Sequence, residues 1–252
     1  MIPKKIHYCW FGGKSLPEDA RKCIASWRKY FPDYEIIEWN ETNFDVNAIP
    51  YTHEAYNAGK YAFVSDYARF KVLYEYGGLY FDTDVEVLKP FNDIIEAGPF
   101  MGFEINPTKN SQGYINPGLG LGGEPKMDLY KNILKYYSTL KFIKKDGSFN
   151  ITDAVVNITT REIYKYPNIR IENGIMQIAD NNIYPAEYFN PLQDSTGKLF
   201  ITPNTHSIHW YSKSWLNENK LRRKLSRLSH RLLGTKYIPL FKTILKRFYS
   251  KI

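Results

Sequence analysis

Four charged side chains in one short stretch have the types and spacing to do chemistry together. Asp66 and Arg69 stand three apart, and Asp82 and Asp84 stand two apart after Gly77-Gly78 and the apolar run Leu79-Tyr80-Phe81. An acid and a cation at i, i+3 on a helix project from neighbouring positions of one face. Two carboxylates at i, i+2 at the end of a strand point the same way, because side chains alternate across a strand, and they repel unless something positive lies beside them. A hard divalent ion with oxygen ligands, itself neutralising a diphosphate, is the simplest such partner. A bare Asp-x-Asp is short and common and by itself reads as a solvated turn. The apolar strand before it and the Asp/Arg pair on the preceding segment make this one a candidate site.

The elements that must position these groups surround them. Ala62, Phe70 and Leu73 give helical apolar spacing, Gly77-Gly78 supplies the positive-φ residue that ends a helix, and Leu79 to Phe81 has the composition of a buried strand. The set Ser65-Asp66-x-x-Arg69, Leu73, Gly77-Gly78, Tyr80, Asp82-x-Asp84 resembles the sugar-binding region containing the DXD motif of glycosyltransferase family 32, and more distantly the catalytic domains of the large glucosylating toxins. The resemblance implies a GT-A fold, which is α/β and Rossmann-like. It also implies a nucleotide-sugar donor (usually a UDP-sugar), Mn2+ or Mg2+, and transfer with retention at the anomeric carbon. By motif position, Asp84 would ligate the metal and Asp82 would touch ribose and donor sugar. Asp66 and Arg69 would hold the sugar hydroxyls and the diphosphate side, with Tyr80 and Ser65 lining the same pocket.

The chain opens with an apolar strand, Ile2 to Cys9, running into Trp10-Phe-Gly-Gly13. Ligands of open α/β sheets gather at the carboxyl ends of strands, so Trp10 is either a core tryptophan or a stacking surface for a base. Relatives with a similar Ile-His-x-x-Trp-x-Gly-Gly use this region against the nucleotide base, which favours the second. Ser15-Leu-Pro-Glu18 reads as a capping box opening a helix with Ala20, Ile24, Trp27 and Phe31 on its core face. Tyr34 to Trp39 reads as a second strand, residues 40–59 as a loop with one helical turn, and His53 as a surface residue. Strands and helices alternate this far, which argues for a mostly parallel central sheet. Met101 to Glu104 reads as another strand. Asn106 to Gly123, with five glycines, reads as irregular and close to a ligand or an edge; it lacks a Walker lysine and is no P-loop. Asn116 within it is either a sugar contact or a turn residue. Pro125 to Tyr137 is helical by spacing. Another helix is expected from Ile151 through Ile158, with Thr152 as its cap, and Asp153 is a departure from the Gly-Pro of many relatives that leaves its role open.

A second polar cluster is Thr205 to Trp215, with His206, His209, Ser212, Lys213 and Trp215. It resembles the C-terminal His-x-x-x-x-Ser-Trp element of the family. That resemblance implies His209 as a second metal ligand beside Asp84, with Ser212, Lys213 and Trp215 closing over the diphosphate. Neutral imidazole beside carboxylate is a reasonable Mn2+ ligand set, and His206 is a rival for it.

At 252 residues, 43% hydrophobic and 24% charged, the chain can bury one good core. The two cysteines, Cys9 and Cys23, lack metal-ligand spacing and read as reduced core thiols of a cytoplasmic protein. No signal peptide and no membrane-length apolar run is seen. Charge is distributed unevenly: residues 220–252 carry eleven Lys or Arg and no acid, so the remaining 219 carry 23 basic and 26 acidic residues. Leu221, Leu225, Leu228 and Leu232 mark one helical face among Arg222, Arg223, Lys224, Arg227 and Arg231, the composition of a helix lying on an anionic bilayer. Nucleic acid is disfavoured by the acidic body and the absence of a nucleic-acid motif.

The expectation is therefore a GT-A catalytic domain over 1–219 with a basic amphipathic tail over 220–252. Its activity would be metal-dependent, retaining transfer of a hexose from a UDP-sugar to a lipid-linked oligosaccharide or polysaccharide in capsule or lipopolysaccharide synthesis, at the inner face of the cell membrane. Two alternatives stand beside it. One is a haloacid-dehalogenase-like phosphotransferase with Asp82 as nucleophile, against which Glu86 stands where Thr or Val is wanted. The other is an inactive sugar-nucleotide-binding protein of the membrane surface.

Overall fold

The structure, a computed structural model, describes residues 1–152 and 154–212. A first compact unit comprises Met1–Pro191 and Ile201–His209; a second takes Leu192–Phe200 and resumes at Trp210. In chain order the elements are β1 (Lys5–Cys9), α1 (Glu18–Tyr30), β2 (Glu35–Trp39), α2 (Pro50–Asn57), α3 (Tyr61–Tyr76), β3 (Gly78–Tyr80), β4 (Val85–Val87), α4 (Asn92–Glu96), β5 (Phe100–Ile105), β6 (Tyr114–Asn116), β7 (Leu121–Gly123), α5 (Asp128–Tyr137), α6 (Val155–Ile163), β8 (Arg170–Glu172), β9 (Ile175–Ile178), β10 (Asn181–Tyr184), α7 (Ala186–Phe189), β11 (Leu192–Gln193), β12 (Lys198–Leu199) and β13 (Ser207–His209). The second unit contributes the antiparallel pair β11-β12, closed by Thr196 donating to Gln193 Oε1 at 2.6 Å.

The central sheet runs β2-β1-β3-β7-β5-β10-β9-β8, with β6 on β5. β1 is parallel to both β2 and β3, and β5 is parallel to β10; β7 lies antiparallel between β3 and β5, and β9 and β8 extend the sheet antiparallel. One apolar cluster unites α3, α5 and α6 through Val64, Phe70, Leu73, Ile133 and Ile158. The other joins Trp27 and Phe31 of α1 to Phe81, Phe91, Phe100 and Phe189. Each ring so buried contributes about 2–3 kcal/mol relative to exposure, which makes these clusters the base on which the polar residues are held. Among the described residues no helix is long and apolar enough to cross a membrane.

Several local expectations change. The segment 106–123, expected to be irregular, contains β6 and the central strand β7. Its glycines make room for rings: a Cβ on Gly122 would stand 2.3 Å from Phe100 Cε1. Ser15 does not cap α1, whose first flanking residue is Pro17 with no side-chain cap. α6 begins at Val155 without a side-chain cap, while the Thr152 hydroxyl donates to Asn150 Oδ1 at 3.1 Å. Residues 50–57 form a full helix, and β2 is an edge strand. Asp153 and residues 213–252 lie outside the described residues, so the readings of Asp153, Lys213, Trp215 and the basic tail are not addressed by the fold.

Candidate active site

The site is built at the junction of α3, β3 and β4. α3 buries Val64, Ala68, Phe70 and Leu73 and ends where the Gly77 N–H returns to Leu73 O at 2.8 Å with φ +63. A side chain there would strike Pro3 and Pro125 as well as strain the backbone. β3 then runs between β1 and β7, and Phe81 beyond it is fully buried against Trp27, Phe31 and Phe91. Asp82 and Asp84 follow in a turn, closed by Val85 N–H to Asp82 O at 3.0 Å, rather than in a strand. They converge because the chain bends there, not because side chains alternate.

β4, next in the chain, pairs antiparallel with β13 so that Val85 faces His209. α1 clamps this pair from behind: Trp27 Nε1 donates to Val85 O at 2.7 Å, and Ser26 Oγ accepts from Val87 N at 2.9 Å. The result brings together residues more than a hundred positions apart. Oxygen atoms of Asp82 and Asp84 and a ring nitrogen of His209 lie within 4.8 Å of one another. His209 Nε2 is 3.1 Å from Asp84 Oδ1. Burial disfavours charge on His209, yet Asp84 first, then Asp82 and Glu104, hold its pKa above the ordinary imidazole value. Negative charge so concentrated that it raises a buried histidine suits a cation. Two carboxylates with one imidazole are a donor set that can hold a divalent metal ion.

Behind these ligands Arg69 is almost wholly enclosed. Its Nη2 donates to Asp66 Oδ1 at 2.9 Å and its Nε to Ser65 O at 3.2 Å, Nη1 stands 3.3 Å from Asp82 Oδ1, and the guanidinium lies 4.8 Å over the Tyr80 ring. Tyr80 also donates its hydroxyl to Asp82 Oδ1 at 3.1 Å. Burial works against the Arg69 charge, but Asp82 and then Tyr80 and Asp66 keep it firmly protonated. Burial also pushes the Asp66 carboxyl up to about 7, against the pull of Arg69, while Asp82 adds to the rise and the Val155 N–H opposes it. That amide opens α6, so a helix N-terminus is turned toward Asp66. Beneath the cluster sits the Cys9 thiol, pushed up to about 12 by burial despite Arg69 nearby.

Trp10 is half-buried just past β1, with Nε1 donating to Lys14 O at 2.6 Å. The glycine turn after it is tied down by Glu41, whose Oε1 accepts from Gly12 N at 2.6 Å. Half-buried on α3, the Ser65 hydroxyl donates to Tyr61 O at 3.2 Å. Ser212 falls in the second unit. His206 does not compete for a metal: its Nε2 is 3.0 Å from Asp93 and its Nδ1 2.7 Å from Asn204 O, a different neighbourhood from that of His209. Asn116, left open between sugar contact and turn residue, is engaged at both ends of its amide, donating to Glu104 Oε2 at 3.2 Å and accepting from Gly118 N at 2.7 Å.

Three contributors have no place in the sequence reading. Glu104 stands at the carboxyl end of β5 and faces the same negative centre; the strand-end rule applied to Met101 to Glu104 would have found it. Gly118 is the second, since its Cα lies so close to Asp82 that a Cβ would stand 2.1 Å from Oδ2. The third is His7, fully buried in β1, which donates from Nε2 to Gly77 O at 2.9 Å and accepts at Nδ1 from Trp39 Nε1 at 3.0 Å, tying the end of α3 to the sheet.

The match to known proteins falls on this same ground. Residues 17–101 match the family described as glycosyltransferase sugar-binding region containing DXD motif, a span that runs from α1 to β5 and includes Asp66, Arg69, Asp82 and Asp84. The chain is 28% identical to uncharacterized glycosyltransferase L373 of Acanthamoeba polyphaga mimivirus over 75% of its own length and 76% of that protein. It is 29% identical to inositol phosphoceramide mannosyltransferase 1 of Schizosaccharomyces pombe over 46% of its length, spanning 37% of that relative. Among solved structures, the PaToxG glycosyltransferase superposes with a TM-score of 0.53 at 19% identity, covering 65% of this chain and 69% of that one. Fold and site together define a glycosyltransferase with an α/β fold of the GT-A kind. Within that class, the segment bearing the two aspartates matches the DXD-containing sugar-binding family that the motif resembles.

Proposed function

We propose that the protein is a metal-dependent, retaining glycosyltransferase that moves a hexose from a nucleotide sugar, a UDP-sugar by family resemblance, to a lipid-linked saccharide acceptor. The observation that carries this reading is the convergence of Asp82, Asp84 and His209 within 4.8 Å, backed by the enclosed Arg69. In this reading Asp84 and His209 would hold Mn2+ or Mg2+, which would supply the positive charge that a departing nucleoside diphosphate requires. Asp82, fixed by Arg69, Tyr80 and the Gly118 backbone, meets the ribose and donor sugar; Asp66, fixed by Arg69 and the α6 amide, meets the sugar hydroxyls. Trp10 offers its ring to the base, with Ser65 lining the same cleft. The family resemblance assigns Ser212, Lys213 and Trp215 to the diphosphate. Retention follows front-face attack in which a leaving phosphate oxygen takes the acceptor's proton, with no enzymic nucleophile required.

A lipid acceptor is supported by the inositol phosphoceramide relative and by the basic amphipathic composition of residues 220–252, which suits the inner, anionic face of a cell membrane. Capsule or lipopolysaccharide synthesis is the pathway class for such an acceptor. Asp82 is held at Oδ1 by Arg69 and Tyr80, an arrangement for orienting a ligand rather than freeing a phosphorylation nucleophile. The test is a hydrolysis screen of UDP- and GDP-sugars with and without Mn2+, followed by anomeric analysis of the product. Metal-dependent release of one nucleoside diphosphate is expected; turnover that survives Asp84→Ala would refute the assignment.

A further inference from the structure

Close to the site is a surface that the transfer reaction does not use. Between α5 and α6, Ile143 and Phe149 form an antiparallel bridge, and the hairpin is closed by Lys144 N–H to Ser148 O at 2.8 Å and Asn150 N–H to Phe142 O at 2.7 Å. Its tip turns at Gly147, φ +78, and Asp146 accepts from both the amide and the hydroxyl of Ser148. The base is anchored. Phe142 is fully buried with its ring stacked on Phe149 at 5.1 Å, and the Ile143 N–H donates to Glu54 Oε2 at 2.8 Å.

A hairpin held this firmly nonetheless presents apolar groups outward: Ile143, Phe149 and Ile151 are 39%, 38% and 63% exposed. Lys141, Lys144 and Lys145 rim this crest, and Lys60 lies 5.4 Å over the Phe149 ring. The only acid in residues 141–152 is Asp146, which is turned back on Ser148. An apolar crest ringed by ammonium groups is complementary to an anionic bilayer. Ile143 and Ile151 enter the headgroup boundary, with the partly exposed Phe149 beside them, while the lysines extend to the phosphates. The crest also lies near the chemistry. Val155, whose N–H bonds Asp66, is four residues beyond Ile151, a stretch of chain that reaches at most about 14 Å.

We propose that the 141–152 hairpin is a membrane-docking element of the catalytic unit, seating the mouth of the site on an anionic lipid leaflet. It is a different stretch of sequence from the basic tail. The lipid-linked acceptor reading gives the docking its purpose, but docking itself can be tested without any glycosyl transfer. The full chain carrying Ile151→Cys is labelled with an environment-sensitive nitrobenzoxadiazole; Cys9 and Cys23 are buried and do not compete. It is then titrated with phosphatidylcholine vesicles and with vesicles containing about a third phosphatidylserine.

The expected result is a blue shift with the anionic vesicles and none with the neutral ones. Lys144→Gln with Lys145→Gln is expected to raise the vesicle concentration needed for half of the shift by on the order of 10-fold or more, with unchanged thermal unfolding. An unaltered reporter while the protein co-sediments with vesicles would place membrane contact elsewhere and overturn the proposal. Equal responses to both vesicle types, or no binding to either, would also overturn it. A failed donor screen would count against the transferase reading and leave this readout standing.

Discussion

Gly118→Ala tests the site through a residue that carries no chemistry of its own. A Cβ built there stands 2.1 Å from Asp82 Oδ2, 3.0 Å from its Cγ and 3.1 Å from Arg69 Nη1, whereas ordinary contact begins near 3.4 Å. The carboxylate must therefore retreat by about 1.3 Å, at the expense of its contacts with Arg69 and Tyr80, since Arg69 is enclosed whereas the Asp82 side chain is partly exposed. Gly118 has no positive φ, so alanine brings no backbone strain. Displacement by about 1 Å of a group that orients the reacting partners costs on the order of 100-fold in rate, equivalent to about 3 kcal/mol in the barrier. Stability should change little, because the clash is with the end of a side chain. The assay pairs donor hydrolysis with Mn2+ titration in the presence of UDP, and a thermal melt controls for folding. Wild-type turnover together with wild-type Mn2+ affinity in a folded Gly118→Ala protein would show that Asp82 does not act from the position seen here.

Three further outcomes follow from the same geometry. Asp84→Asn and His209→Ala each should weaken Mn2+ binding by at least about 10-fold, read by electron paramagnetic resonance, and the loss should be unequal if only one of them touches the ion. Arg69→Met leaves Asp66 and Asp82 without their buried counter-charge and should cost about 3–5 kcal/mol of stability, measured by urea unfolding; an unchanged midpoint would argue that the pair is not buried in solution. His7, lowered to about 4 chiefly by burial, has a folded-state pKa below its unfolded value near 6.5. Its contribution of about 3 kcal/mol should be present above pH 6.5 and lost as pH falls through 4, and a His7→Asn protein should show a correspondingly flatter stability profile over that window.

Much of the site was legible because it is local. The α3 pattern, the glycine stop and the two aspartates occupy one continuous stretch, and helical spacing suffices to predict that Asp66 and Arg69 share a face. What escaped is non-local. Reading Asn106 to Gly123 as irregular was sound on composition, yet β7 is a central strand whose missing side chains admit the ring of Phe100, a partner about twenty residues away. The capping box at Ser15 failed because Pro17 already begins the helix in an extended conformation without help from a side chain. His206 and His209 looked alike in the sequence, and only the pairing of β13 with β4 sends one to Asp84 and the other to Asp93. Gly118 gave no pattern of its own, since its importance lies in what stands next to it, whereas Glu104 was marked only by its place near a strand end.

The ladder between β4 and β13 joins positions 124 apart in the chain, Val85 and His209. On a ribosome the aspartates emerge long before the imidazole, so a growing chain can lay down the β2-β1-β3 layer while the proposed cation centre is still short of a ligand. Nascent chains stalled before residue 207 should therefore already resist proteases over their first half yet grip Mn2+ poorly, so that the proposed site is completed only after the strands that carry it.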